Sequence, residues 1–191
     1  MIVKRTVIET YEIDDYKQLM TGDEIELEDL GSKNAIFQVA HIDDNYLYLI
    51  RKYLLPHEFD RSILAFNGQL LHIEEDKQSV LIWLNTTYFD SLNCRKYVNF
   101  VTIPYITNIY PKNNDNSSQW DIFKQNSLVR HRLELVNNRL TEIPGNWGIL
   151  DNIIGDGNYC ISSIGEFINN NELVYPLDKI GILPCLMISL N

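Results

Sequence analysis

Carboxylates in a glycine-rich stretch are the side chains of this chain best suited to catalysis or metal binding. Asp151 and Asp156 lie between Gly148 and Gly157. Two carboxylates in one loop could form a general acid–base pair or could hold Ca²⁺ through loop oxygens. The D-x-D-x-D-G spacing of a calcium-binding loop is absent. We therefore expect neither role and keep Asp156, with the neighbouring Asn152, as candidate binding residues.

Histidine and cysteine show no metal-ligand spacing. His41 lies beside Asp43, but no second histidine or cysteine stands at ligand spacing, and the HEFD of residues 57–60 is not HExxH. The three cysteines are far apart, without a CxxC pair: Cys94, Cys160 and Cys185. Cys160 and Cys185 fall in apolar runs, where a reduced and buried thiol is the ordinary state. We expect no metal and no cofactor.

The charge and length limit the classes of partner. The net charge is −10 over 191 residues, and such a charge repels nucleic acid and anionic membranes. Arg130, His131 and Arg132 form the one compact basic group, which we expect on a solvated helix face. The amino end lacks a secretory pattern, and no run approaches the ~18 apolar residues of a membrane helix. The sequence predicts a soluble protein made in a reducing bacterial cytoplasm.

Aromatic residues next to loops are the strongest candidates for binding. Tyr110 and Trp120 flank the polar stretch Pro111–Gln119, and Trp147 lies in the glycine-punctuated stretch Glu142–Asn158. Loops on a rigid scaffold often carry recognition, and aromatic side chains anchor many interfaces. Burial fits the pattern equally well, in which case each aromatic residue only holds its loop in place.

The end of the chain is predicted to be an inner strand. Ile182–Leu190 is nearly all apolar, which suits a strand that is covered on both faces. The preceding stretch, Ile161–Tyr175, predicts a hairpin that turns at Asn169–Asn171 and pairs with this strand.

Further strands follow from alternation and turn chemistry. Glu24–Glu28 reads EIELE and predicts a strand with its two aliphatic residues inward. Ala35–Ile42 and Tyr46–Leu55 predict a hairpin around Asp43–Asn45. Lys96–Tyr110 is β-prone but contains Pro104, which favours an edge strand or an irregular excursion.

Helices are predicted in three places. Ser79–Leu92 is amphipathic and forms either one helix or two short helices with a break at Asn85–Thr87. Leu128–Leu140 has apolar residues at steps of four, three and four, which predicts a helix over the sheet. A short helix at Tyr16–Met20 would end at Gly22, and Glu142–Asn158 reads as a long ordered loop.

The domain organisation is an arm followed by one domain. Residues 1–20 are predicted to form an amino-terminal strand and helix arm, and residues 21–191 a single α+β domain. The alternating stretch Met1–Ile13 either adds a strand to its own sheet or pairs with the sheet edge of another subunit.

The order of these stretches resembles a bacterial and phage domain family of unknown function. The matching stretches are Gly22–Ile25 (GDEI), Ile36–Ile50 (IFQVAHIDDNYLYLI), Ser79–Asn85 (SVLIWLN), Ser162–Ser163 and Gly181–Ile188 (GILPCLMI). The family has an arginine before its last proline, where this chain has Leu183. Its late tryptophan begins a W-L-R-S stretch, whereas Trp147 is followed by Gly148.

This resemblance implies a fold class and a function. The fold would be α+β, with a mostly antiparallel sheet, two or three helices, long loops and a C-type-lectin-like or sulfatase-modifying-factor-like layout that brings the two terminal strands together. The function would be that of a non-enzymatic interaction or structural protein of a phage virion or its surface. Its partner would be a protein, other subunits of an assembly, or a glycan.

Two other functions remain open on the sequence. One is a small acidic regulator or inhibitor from a mobile element. The other is a metal-dependent enzyme of the sulfatase-modifying type, whose copper site requires a cysteine pair. Cys160 and Cys185 are the candidate pair.

Overall fold

The computed structural model describes residues 5–6, 12–55, 80–110, 119–125, 128–149, 159–169 and 180–191. The strands of these residues are β1 Arg5–Thr6, β2 Glu24–Asp29, β3 Ser32–Ile42, β4 Tyr46–Arg51, β5 Val98–Thr102, β6 Arg130–Val136, β7 Arg139–Ile149, β8 Tyr159–Ile161, β9 Phe167–Asn169, β10 Ile180–Gly181 and β11 Cys185–Ser189. The helices are α1 Ile13–Tyr16, α2 Val80–Trp83, α3 Phe89–Ser91, α4 Ile106–Ile109 and α5 Asp121–Gln125, with a π-helical turn at Leu84–Tyr88 between α2 and α3.

The strands form two mostly antiparallel sheets. The first sheet has the order β1-β2-β3-β4-β11-β5 and curls into a half-barrel. The second has the order β10-β7-β8-β9, with β6 paired to β7. The β1–β2 and β7–β10 pairs are parallel. The expectation of a mostly antiparallel sheet with helices is therefore confirmed.

The last strand, β11, lies between β4 and β5 in the first sheet. It pairs antiparallel with both, so that Leu186 is opposite Leu49 on one side and Val101 on the other. Leu186 and Ile188 face one apolar core, and Cys185 faces a second. The predicted inner strand is thus confirmed, because alternate side chains of one strand enter the two cores.

The first core lies on one face of the first sheet, against the helical segment Val80–Ser91. Leu81, Leu84 and Tyr88 of this segment pack against β-strand residues such as Phe37 and Leu49. The backbone amides of Glu28 and Leu30 donate to the side chains of Asn93 and Ser91. These bonds tie the end of the helical segment to the start of the sheet.

The helical segment has a π-helical turn, Leu84–Tyr88, where the sequence predicted a possible break at Asn85–Thr87. The Asn85 side chain donates to the Leu81 carbonyl at 2.9 Å, and the Thr86 hydroxyl donates to the Ile82 carbonyl at 2.7 Å. Both side chains occupy carbonyls four residues back, which loosens the main-chain ladder there. Asn85 also exchanges hydrogen bonds with the backbone of Val101 in β5. The segment is one continuous helical run, anchored to the sheet where its register changes.

A buried ion pair lies at the rim of this core. Asp29 is fully buried, and its carboxylate accepts bonds from Arg51 Nε at 2.7 Å and Arg51 Nη2 at 3.3 Å. The Tyr88 hydroxyl donates to the same carboxylate at 2.7 Å. Burial, and then the negative charge of Asp29, raise the pKa of Tyr88 well above its usual value. Tyr88 therefore stays protonated and serves as a donor, which the buried carboxylate requires.

The second core fills the space between the other face of the first sheet and the second sheet. It combines Ala40, Ile50 and Cys185 of the first sheet with Trp147 and Ile161 of the second. Trp147 stacks on Phe123 of α5, and Phe123 stacks on Trp120. The Trp147 indole donates to the Leu128 carbonyl at 3.1 Å, so its one polar atom is satisfied within the core.

The predicted helix over Leu128–Leu140 is wrong. Residues 130–149 form the β6–β7 hairpin, whose turn residues Asn137 and Asn138 have φ values of 50° and 60°. Asparagine tolerates the left-handed region that a two-residue hairpin turn requires. The preference of these two asparagines for a turn therefore outweighs the helical spacing of the apolar residues. Arg130, His131 and Arg132 accordingly lie on a strand, with Arg130 buried. The predicted loop is also wrong at 142–149, because β7 continues to Ile149.

Two other expectations need correction. The hairpin near the end of the chain turns at Ser162–Glu166, between β8 and β9, and belongs to the second sheet, so it does not pair with β11. The turn is closed by the Ser162 hydroxyl, which accepts bonds from two backbone amides. The strands nearest the two ends of the chain are not neighbours, because β2, β3 and β4 lie between β1 and β11.

The remaining expectations vary in outcome. The hairpin around Asp43–Asn45 and the inward pair Ile25 and Leu27 are confirmed, and β5 is an edge strand. The helix predicted at Tyr16–Met20 is wrong beyond Tyr16, because α1 runs from Ile13 to Tyr16. Within the predicted amino-terminal arm, Arg5–Thr6 pairs with β2 of the same chain. The expected turn at Asn170–Asn171 and most of the loop after Tyr110 lie outside the described residues.

None of the helices in the described ranges has the length and apolar character that crossing a bilayer demands.

The buried ion pair generates a prediction. Tyr88→Phe should lower the free energy of unfolding by about 2 kcal/mol, because a buried carboxylate loses a charge-assisted hydrogen bond. Tyr53→Phe is the matched control, since the Tyr53 hydroxyl donates to Glu142 at 2.6 Å in an exposed position. It should cost less than about 0.5 kcal/mol. Urea denaturation of both variants measures the difference, and equal costs would contradict this account of Asp29.

Candidate interaction surface

The outer part of the β6–β7 hairpin, residues Leu133–Glu142, is the most distinctive surface of the described residues. We call it the hairpin arm. Val136 pairs with Arg139 across the two turn residues, Leu135 with Leu140, and Leu133 with Glu142. Residues that are directly opposite in an antiparallel pair point to the same side of the sheet. One face of the arm therefore carries Leu133, Leu135 and Leu140 together.

The aliphatic side chains of the arm are exposed. Leu135 is 69% exposed and Leu140 72%, and Leu133 and Val136 are also exposed. These four residues account for nearly half of the nine large hydrophobic residues that are exposed among the described residues. Isolated surface leucines are ordinary, whereas Leu133, Leu135 and Leu140 share one face of one hairpin, which makes that face a candidate interaction surface.

The whole β6–β7 hairpin differs in charge from the rest of the chain. Residues 130–145 contain three arginines and two glutamates, hence a formal charge of +1 within a chain of −10. Arg132 forms an ion pair with Glu134 on the face opposite the leucines. Val136 and Arg139 share that polar face. The hairpin is thus an amphipathic ribbon of slight positive charge, although the arm itself, with Arg139 against Glu134 and Glu142, has a formal charge of −1.

A second apolar patch lies near the base of the hairpin. Tyr110 and Phe167 form an edge-to-face pair with ring centroids 5.9 Å apart, and both are partly exposed. Ile164, in the turn between β8 and β9, is 71% exposed. The same turn packs at Gly165 against Val129, which immediately precedes β6. Of the aromatic residues predicted to bind, Tyr110 is therefore the one that the structure places at an exposed apolar site.

The two tryptophans of the predicted surface lie in the second core. Trp147 is fully buried and Trp120 nearly so. Their stacked arrangement with Phe123 holds α5 against the second sheet. This is the structural alternative that the sequence left open for both residues. Asn152 and Asp156, like Asp151, lie outside the described residues.

A group of polar side chains lies beside this aromatic stack, where the Tyr48 ring contacts Trp120. His41 Nδ1 lies 3.1 Å from Asp121 Oδ2, and the His41 ring stacks on Tyr48. Lys124 donates to the other oxygen of Asp121 at 2.9 Å. The bond from Lys124, and then that of His41, hold the pKa of Asp121 below its usual value despite partial burial. The carboxylate thus links β3 to α5.

The chemistry available to this group is limited. A carboxylate on Nδ1 orients a histidine as in nucleophilic sites, but burial and the hydrogen bond to Asp43 raise the pKa of the neighbouring Tyr48. Tyr48 is therefore a poor nucleophile. Burial likewise raises the pKa of Cys94 to about 11 and that of Cys185 well above its usual value. Within the described ranges, no three potential metal ligands converge.

Comparison with known proteins gave no match to any family model, curated protein or solved structure. The interpretation therefore depends on the geometry of the chain itself.

Sequence reasoning missed the hairpin arm, although one signal was present. His131, Leu133 and Leu135 alternate with Arg130, Arg132 and Glu134. This is the period of two that a strand shows, and it runs up to the Asn137-Asn138 pair, which favours a hairpin turn. The alternation and the turn signal together predict the hairpin that carries the arm.

The Asp121 contacts generate a pH prediction. A carboxyl whose pKa is lowered by folding stabilises the protein above its unfolded pKa, and this contribution is lost as the pH falls through the lower folded value. The wild type should therefore lose stability as the pH falls below about 4, in part through Asp121. Asp121→Asn should show a smaller loss over that window. Denaturation midpoints at a series of pH values test this, and parallel profiles for the two proteins would contradict it.

Proposed function

We propose that this protein is a non-enzymatic interaction module that binds a partner protein through the hairpin arm. The observation that carries the proposal is the exposed leucine face, with Leu135 and Leu140 paired across the two strands at 69% and 72% exposure. Fully burying a leucine contributes about 1.5–3 kcal/mol. Covering these two residues alone would thus supply a substantial part of the free energy of a micromolar complex.

The body of the molecule supports this role by being rigid around the arm. The second half of β7 has neighbours on both sides, with Trp147 paired to Ile161 of β8 and to Gly181 of β10. The arm is the outer half of the same strand. A ribbon that extends from a packed sheet presents its side chains in a fixed arrangement, which lowers the entropy cost of binding.

The wider setting of the protein is part of the same proposal. A mostly antiparallel scaffold that displays a hairpin is compatible with a C-type-lectin-like layout, and the family resemblance supports a structural role in a virion or on its surface. A glycan would be the alternative partner at the Tyr110 and Phe167 patch, since exposed aromatic faces suit apolar sugar surfaces. The copper enzyme alternative is weakened by Cys185, which is buried in the inner strand β11 with a raised pKa.

Site-specific photo-crosslinking tests the proposal. A diazirine amino acid at position 135 should give a discrete protein adduct in the cells that produce the protein. The same amino acid at position 20 is the matched control, because Met20 is also 69% exposed but lies away from the arm, before β2. Adducts at 135 and none at 20 are expected. Equal adducts at both positions, or none at either, would contradict binding through the arm.

A further inference from the structure

Among the described residues, the outer edge of β6 has backbone hydrogen-bonding positions that no other strand uses. In a hairpin with a two-residue turn, the two residues that flank the turn, the closing pair, exchange backbone hydrogen bonds. From there along the strands, hydrogen-bonded pairs alternate with pairs whose amides and carbonyls point away from the partner strand. Val136 and Arg139 are the closing pair. The amide and carbonyl of Glu134 and Val136 thus point to β7, and those of Leu133 and Leu135 point to the opposite side.

The same chain already uses one position of this edge. Tyr53 forms a parallel bridge with His131, and the Leu54 amide donates to the His131 carbonyl at 2.9 Å. Leu55 then turns away to pair with Ile182. Beyond His131, no described residue pairs with the outer edge of β6. The amides and carbonyls of Leu133 and Leu135 are the next outward positions along this edge after the hydrogen bond at His131.

We propose that the arm binds by strand addition: an extended segment of another protein pairs with β6 at Leu133 and Leu135. This inference rests on the proposed function and specifies its partner. The segment has apolar residues at alternate positions, which pack beside the leucine face. On the other face Arg132 and Arg139 outnumber Glu134, so acidic residues suit the intervening positions better than basic ones.

A second copy of the chain fits this edge less well. Antiparallel pairing of two β6 strands through Leu133 and Leu135 would place Glu134 directly opposite Glu134 of the second copy. Like charges at opposite positions destabilise a strand pair. Register shifts by one pair either collide with the bridge at His131 or leave one leucine opposite the turn.

A lipid surface fits less well too. Inserting the leucines into hydrocarbon would carry the open amides and carbonyls of Leu133 and Leu135 with them. Backbone groups without partners are costly in lipid, each by several kcal/mol. The net charge of −10 also opposes approach to an anionic bilayer.

Peptide selection tests the inference directly. Random linear peptides are selected against the full chain, synthesised with a fluorescent label, and measured by anisotropy. We expect peptides in which apolar residues alternate with polar, mainly acidic ones. Failure to select any peptide, or selection of peptides without alternation, would overturn strand addition. The crosslinking at position 135 would then decide separately whether the arm binds a partner at all.

Two substitutions at one residue separate the backbone from the side chain. Leu135→Ala and Leu135→Pro both remove the leucine, but only proline removes the outward amide, which makes no bond within the hairpin. Leu135→Pro should bind selected peptides about tenfold more weakly than Leu135→Ala. Amide resonances of Val136 and Arg139 verify that the hairpin is intact. Leu133→Pro repeats the test at the other outward amide.

Each other outcome has a defined meaning. Equal affinities of the proline and alanine variants would overturn strand addition while leaving an apolar contact at the arm. Wild-type affinity in every variant would place the site elsewhere and contradict the proposed function as well. A dimer in light scattering that Leu135→Pro abolishes would identify a second copy as the occupant and overturn the inference. Binding to phosphatidylserine vesicles that Leu140→Ser abolishes would overturn it in favour of a membrane.

Discussion

The placement of the last strand between two strands that are distant in sequence constrains the whole structure. β11 pairs with β4 on one side and β5 on the other, and its alternate side chains enter both apolar cores. Without it, β5 would lose its only strand partner among the described residues, and Cys185 and Leu186 would leave a gap in each core. Residues 185–189 thus complete the first sheet by joining strands that are far apart in the sequence. Long-range pairing of this kind is favoured only when both faces of the strand are covered.

Polar and apolar groups are distributed unevenly over the molecule. Two buried carboxylates have close polar partners: Asp29 is bound by Arg51 and Tyr88, and Glu24 by Lys52 at 2.9 Å. Such pairing is what burial of a carboxylate requires. On the hairpin arm, by contrast, Leu133, Leu135 and Leu140 are exposed, and no described residue pairs with the backbone of Leu133 and Leu135 at the outer edge of β6. The proposed strand addition would cover this edge.

The sequence predicted those parts of the fold in which local chemistry and burial agree. The run Ile182–Leu190 is continuous in apolar residues because both of its faces are covered, and Asp43–Asn45 turns because its side chains bond the backbone, with Asp43 accepting from the amides of Asn45 and Tyr46. Prediction failed where apolar spacing did not report burial. Leu133 and Leu140 fit a helical stripe, but they are exposed on a ribbon, and Asn137-Asn138 decided the local structure. For the site, an exposed Tyr110 could be anticipated from the adjoining polar loop. The burial of Trp120 and Trp147 could not, since it depends on the packing of α5 between two sheets.

Hydrogen exchange of individual backbone amides tests the central claim, that a closed body presents an open strand edge, in one measurement. The amides of Leu186 and Met187 should exchange only through global unfolding, because their strand is paired on both sides. The amides of Leu133 and Leu135 should exchange rapidly, while those of Glu134 and Val136 between them are slowed by bonds to β7. Slow exchange at Leu133 and Leu135 in the isolated protein would show that the edge is already occupied. Rapid exchange at Leu186 would show that β11 does not close the fold, and either result would contradict the account.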